Sequence, residues 1–152
     1  MKKLKYCLNT GASLGLLFGI TLLAKAQAVN FDEGLKLAKE QNRKIIVDVY
    51  TDWCGWCKRM DKDTYGNAEV KKIIEENFIL VRLDAEGGNK HTYNGKEYSD
   101  PELAALFEVT GYPTTVFLSP EGKIIEFDYD KYKMKNLPGY LPSADFKKVL
   151  EY

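Results

Sequence analysis

The chain has 152 residues, 45% hydrophobic and 29% charged, which suits one soluble domain with an ordinary core and excludes a disordered chain. Its 22 basic and 22 acidic residues cancel, but Lys2, Lys3, Lys5 and Lys25 fall in the first 28 residues, which hold no acid. The remainder carries 18 bases against 22 acids, a charge near −4. No run of Lys and Arg interleaved with aromatics offsets that charge, so nucleic acid is excluded as a partner.

Residues 1–28 read as a secretory signal peptide. Lys2, Lys3 and Lys5 form a basic start, residues 14–23 an apolar stretch, and Ala26-Gln27-Ala28 a small-x-small pattern that places a cut after Ala28. The alternative is a retained membrane anchor. The apolar stretch is short for a span and contains glycines, which favours cleavage and a periplasmic or otherwise exported location. Cys7 lies ahead of the apolar stretch and is removed with it. Residues 29–152 form the expected domain, whose two cysteines are Cys54 and Cys57.

Phe31, Leu35 and Ala38 recur at helical spacing and predict a helix over 31–42. Residues 44–51 (KIIVDVYT) form a short β-branched apolar run, a buried strand. A helix then follows the cysteines to about Gly66, with a further helical stretch over 67–77 counted together with it. Residues 78–84 (FILVRLD) predict another buried strand. Residues 85–99 read as a long polar loop. Asp100 is placed as the N-cap of a helix to about 108, with Pro101 at its first position. Residues 114–119 and 123–129 predict two strands joined by the turn Ser119-Pro120-Glu121-Gly122, a hairpin. Residues 130–142 read as irregular, and Ser143 caps a final helix. The order α-β-α-β-α-β-β-α predicts an α/β fold: a mixed sheet, partly parallel with a terminal antiparallel hairpin, flanked by helices.

Chemistry concentrates at Cys54-Gly55-Trp56-Cys57, at a strand-to-helix junction. Disulfide exchange needs one thiolate to attack and a second thiol close enough to resolve the mixed disulfide, and C-x-x-C provides both. A thiol at a helix N-terminus has its pKa lowered from about 8.5. The competing reading is half of a zinc site, but the sole histidine is His91 and no second cysteine pair exists, so neither metal nor cofactor is expected. An inert structural disulfide is the other alternative. Asp48 lies in an apolar run between Val47 and Val49. Buried there, it would have a pKa raised from about 3.9 towards the range of a general base; edge-facing, it would be a solvated aspartate.

The stretch 47–58 (VDVYTDWCGWCK) resembles the active-site segment of the thioredoxin superfamily, and Gly111-Tyr112-Pro113-Thr114 is similar to that family's cis-proline loop. With Met60, Thr64-Tyr65 and Glu69-Val70, the pattern is most similar to exported bacterial thioredoxin-like thiol–disulfide oxidoreductases. These include relatives of the C-terminal domain of the periplasmic electron-transfer protein that keeps disulfide isomerases reduced. The resemblance implies a thioredoxin fold, with Cys54 as nucleophile, Cys57 as resolving thiol and Asp48 as the buried acid serving it. It implies Pro113 as the cis-proline that pairs with substrate and Trp53 as the aromatic beside the site; Trp56 and Tyr112, read from the residues alone, complete the candidate substrate-binding set. It implies protein thiols and disulfides as partners, fed by a membrane electron donor. The chain departs from the family in having Trp56 where cytosolic thioredoxins have proline, and Tyr112 where a small or β-branched residue is usual. Tyr129, Tyr132 and Tyr140 suggest either a binding face or a C-terminal loop packed on the core.

Overall fold

The central strand β1, Lys44–Tyr50, is buried on both faces from Ile45 to Val49, and the rest of the chain is arranged around it. In this computed structural model, residues 28–129 and 132–151 are described. The expected signal peptide therefore lies outside the described residues, apart from Ala28.

The helix α1, Phe31–Gln41, starts at Asn30, whose side chain accepts from the Glu33 amide, and stops at Asn42 in the left-handed region (φ 52°). The chain then enters β1, and α2 (Gly55–Met60) runs into one π-helical turn, Asp61–Tyr65. Gly66 closes that turn by donating its amide to the Asp61 carbonyl, and a Cβ on Gly66 would meet the Lys62 carbonyl oxygen at 2.4 Å. Next come α3, Ala68–Asn77, capped by Asn67, and β2, Phe78–Asp84.

Strand β2 pairs in parallel with β1, and β5, Thr114–Leu118, pairs antiparallel on its other side. The main sheet has the order β2-β1-β5-β8, with β8 at Leu137–Pro138. Ile45, Val47, Val49, Val81 and Val116 face one core with Phe31, Ala38, Leu103 and Phe107. Ile46 and Phe117 face a second core with Met60, Val70, Ile74, Phe146 and Leu150. Helices α1 and α4 (Asp100–Leu106) thus cover one face, while α2, α3 and α5 (Ser143–Glu151) cover the other.

Three expectations are corrected. Residues 85–99 are not a plain loop: β3, Lys90–Tyr93, and β4, Lys96–Ser99, form a hairpin. Its two-residue turn is Asn94-Gly95, both at positive φ, the geometry that matches strand twist. Asp100 is not the cap of α4. Ser99 is, with its amide and hydroxyl both donating to Glu102, while the Asp100 side chain is buried against His91 and the Asn89 amide.

The third correction concerns the terminal hairpin. Residues 123–129 meet β5 only at the Leu118–Ile124 bridge, and the chain then leaves the sheet. Strand β6, Phe127–Tyr129, pairs with β7, Tyr132–Met134, and the free edge of β5 is taken by β8. Phe127 and Ile125 instead pack on the second core, which draws that segment away from β5.

Candidate active site

Strand β1 delivers the cysteines. Its last turn is held where the Cys54 amide donates to the Thr51 carbonyl at 3.1 Å, and Cys54 becomes the N-cap of α2. Cys54 and Cys57 are joined in a disulfide, both nearly buried. The Cys57 amide donates to Cys54 Sγ at 3.0 Å, a contact that favours negative charge on that sulfur when the bond is open.

Asp48 stands on the same strand and is 1% exposed, so it is buried and not a solvated edge residue. Its register partners are Arg82 on β2 and Thr115 on β5, which puts a polar row across an otherwise apolar face of the sheet. Arg82 Nε lies 3.1 Å from Asp48 Oδ2, and the same guanidinium is paired with Asp61 of the π turn and lies over the Tyr50 ring at 4.2 Å. Burial pushes the Asp48 carboxyl up to about 7, with Arg82 pulling it down and Asp61 pushing it further up. Burial disfavours the Arg82 charge too, but Asp48 and Asp61 outweigh that and hold its pKa above the ordinary value.

Two aromatic pairs flank the disulfide. Trp53, 67% exposed and so no part of the core, donates its indole N–H to Glu86 at 2.9 Å and meets Tyr112 edge-on at 5.9 Å. Trp56, 55% exposed, lies 5.5 Å from Tyr140, with the Arg59 guanidinium 5.3 and 5.1 Å from the two ring centroids. Tyr140 thus joins the site surface, whereas Tyr132 stands exposed on β7. The Tyr112–Pro113 peptide is cis, and the Pro113 carbonyl accepts from the Gly139 amide at 2.7 Å.

All seven predicted residues therefore gather around the cysteine loop and its supporting strands. Sequence reasoning missed Arg82, Asp61, Arg59 and Glu86. The signal for Arg82 was present: an arginine in the middle of an apolar strand needs a buried partner. His91, weighed only as a zinc ligand, sits 6% exposed between Asp32 and Asp100, 2.7 Å from each. Among the described residues, no group of three His, Cys, Asp or Glu side chains is arranged to hold a metal ion. No helix there is long and apolar enough to cross a membrane.

Comparison with known proteins follows the same geometry. The family model for the thioredoxin-like domain matches residues 31–152. The chain is 27% identical over 115 residues to thiol:disulfide interchange protein DsbD 2 of Pseudomonas aeruginosa, covering 76% of this chain and 18% of that protein. It is 30% identical over 101 residues to disulfide bond reductase DsbH of Chlamydia pneumoniae, covering 66% of this chain and 60% of that one. It thus spans less than two thirds of either relative. Among solved structures, a Thermus thermophilus thioredoxin superposes with a TM-score of 0.63 at 24% identity over 84% of this chain and 85% of its own. A thioredoxin-fold protein from Helicobacter pylori gives 0.61 at 27% identity, over 73% and 68%. The architecture is the thioredoxin fold.

Proposed function

The chain belongs to the thioredoxin-like domain family, and from that premise we propose that it is an exported thiol–disulfide oxidoreductase acting on protein disulfides, in the reducing direction. One observation carries the reading: the Cys54–Cys57 disulfide is fed by a strand bearing a buried carboxyl with a pKa pushed up to about 7. Such a group exchanges a proton near neutral pH, which an inert structural disulfide does not need.

The reaction follows from these positions. The reduced Cys54 thiolate attacks a substrate disulfide, forming a Cys54–substrate bond and releasing one substrate thiolate. Cys57 gives its proton to Asp48, and its sulfur attacks Cys54 Sγ. The Cys54–Cys57 bond closes and the second substrate thiolate leaves, so two electrons have passed to the substrate. Tyr112 and cis Pro113 supply an edge for an extended substrate segment, while Trp53 and Trp56 supply apolar contact beside it. A membrane dithiol donor would restore the reduced pair. The exported location rests on the basic and apolar pattern of residues 1–28.

The names of DsbD 2 and DsbH support this class of activity. Dithiothreitol-driven insulin reduction tests it. The parent protein turns over insulin, Cys54→Ser does not, and equal background rates in both would sink the enzyme reading. That result would favour a second function, a binding module that keeps its disulfide for structure and uses the exposed Trp53 and Trp56 for recognition. Direction is read from the potential of the couple: about −270 mV marks a reductant and about −120 mV an oxidant.

A further inference from the structure

Tyr65 is the last residue of the π turn, and that turn carries two side chains toward the polar row around Asp48. Asp61, at its start, reaches Arg82. Tyr65, at its end, has its ring fixed edge-on against Phe146 at 5.4 Å, and neighbouring Thr64 ties the turn to the C-terminal segment by donating to the Leu141 carbonyl. The ring of Tyr65 also lines a surface cavity of about 380 Å³ shared with Asp61. Single π turns inside helices recur at functional sites because they re-aim side chains in this way.

Most of the buried polar side-chain atoms without a hydrogen-bond partner among the described residues belong to this neighbourhood. Asp48 Oδ1, the Tyr65 hydroxyl and the Thr115 Oγ1 are all in that state. Thr115 is the register partner of Asp48, and the two hydroxyls lie near enough to act in series: Tyr65 pulls the Asp48 pKa down and Thr115 pulls that of Tyr65 down. Buried polar groups are costly when unmatched, so a small adjustment that pairs these three is favoured. Burial and the nearby Asp48 hold the Tyr65 phenol well above its ordinary pKa, so it stays protonated and is a donor.

We propose that the Tyr65 hydroxyl is a positioning group for proton transfer at Asp48, donating to the carboxylate while the Thr115 hydroxyl donates to Tyr65. The role rests on the exchange reading above and adds to it. When Asp48 takes the Cys57 proton, the Tyr65 bond to the carboxylate weakens. When Asp48 returns that proton to solvent, the bond reforms. Tyr65 keeps its own proton throughout. The hydroxyl thereby favours the anionic, proton-accepting form of an acid that burial would otherwise keep neutral.

The test is the pH midpoint of Asp48, read in two ways. One is the 13C carboxyl shift of labelled aspartate in the reduced protein. The other is the pH profile of mixed-disulfide resolution with an insulin substrate. Tyr65→Phe is expected to raise both midpoints by about one pH unit, the effect of losing one hydrogen bond to a carboxylate. Thr115→Val is expected to raise them by less, and Thr115→Ser to restore them. A Tyr65→Phe protein with either midpoint unmoved overturns the proposal, leaving Tyr65 as packing against Phe146. A parent protein that exchanges no disulfide at all overturns the functional reading instead, and the carboxyl titration still decides the Tyr65–Asp48 bond.

Discussion

Asp48 and Arg82 stand directly opposite each other on parallel strands, 3.1 Å apart, yet the carboxyl is not held ionised. Two facts explain this. Asp48 is 1% exposed, so its charged form loses nearly all contact with water. Asp61, paired with the same guanidinium, adds a like charge that opposes the pull of Arg82. The outcome is an acid pushed up to about 7, poised to take and give a proton near neutrality.

That poise has a stability cost with a definite sign. An acid whose folded pKa exceeds its unfolded value contributes most below the unfolded value, about 3.9, and loses that contribution as pH rises through about 7. The parent protein should therefore lose up to about 4 kcal/mol from this group between pH 4 and pH 8. Asp48→Asn should be more stable than the parent at pH 8 and no better at pH 4. Urea unfolding at the two values checks this, and parallel curves for the two proteins would contradict the burial argument.

Kinetics should separate the two chemical steps. Asp48→Ala removes the group proposed to take the Cys57 proton and leaves the contact between the Cys57 amide and Cys54 Sγ untouched. Resolution of the mixed disulfide should slow by about 10²-fold or more, the usual contribution of a positioned base. Initial attack by Cys54 should slow far less. Stopped-flow traces following Trp53 and Trp56 fluorescence resolve both steps, and equal rates in parent and variant would remove Asp48 from its role.

Arg82 and Asp61 act on Asp48 with opposite signs. Arg82→Gln removes the attractive charge and should move the pH midpoint of resolution upward. Asp61→Asn removes a like charge and also frees Arg82 for Asp48, so it should move the midpoint downward. The contrast is more informative than either variant alone, because general loosening of the site cannot shift a midpoint in two directions. Resolution rates from pH 5 to pH 9 check it.

Away from the cysteines, His91 links three elements: its own β3, α1 through Asp32 and α4 through Asp100. Burial opposes its charge, but the hydrogen bonds to Asp100 and Asp32 outweigh burial and raise its pKa above the ordinary 6.5. Its contribution is therefore fully present below about 6.5 and lost as pH rises through the folded value. His91→Ala should cost about 3 kcal/mol near pH 6, because it leaves Asp100 buried with only the Asn89 amide to pair its charge, and clearly less near pH 9. Thermal unfolding of both proteins at the two pH values measures the difference.

How much of this was legible in the sequence depends on range. The strands β1 and β2 were readable because their apolar runs, 45–50 and 78–83, are interrupted only by Asp48 and Arg82. The β3–β4 hairpin was missed although Asn94-Gly95 is a strong local turn signal, because the flanking segments are polar and short. The pairing of β8 with β5 was not readable at all, since Leu137–Pro138 carries no strand pattern and pairs only because β6 leaves that edge open. The site divides the same way. Cys54, Cys57 and Asp48 lie within ten residues of one another, whereas Arg82 joins Asp48 only through strand register and Tyr65 only through a π turn.

Trp56 provides the final prediction. It is 55% exposed beside the disulfide, but it is not free: Tyr140 lies 5.5 Å away, and Arg59 sits over both rings. This arrangement holds a large apolar surface beside the disulfide, with Arg59 stacked on it and paired to Asp63 at 3.3 Å, a form suited to a protein partner rather than a small thiol. Trp56→Ala should raise KM for insulin roughly five- to tenfold, or about 1–1.4 kcal/mol, with a smaller effect on oxidised glutathione. Arg59→Met should show the same ordering with a smaller size, because it keeps an apolar stem over the rings and loses the charge and its exposed pairing with Asp63. Equal effects on both substrates would instead mean that Trp56 tunes the disulfide itself. Steady-state kinetics on the two substrates decides between these roles.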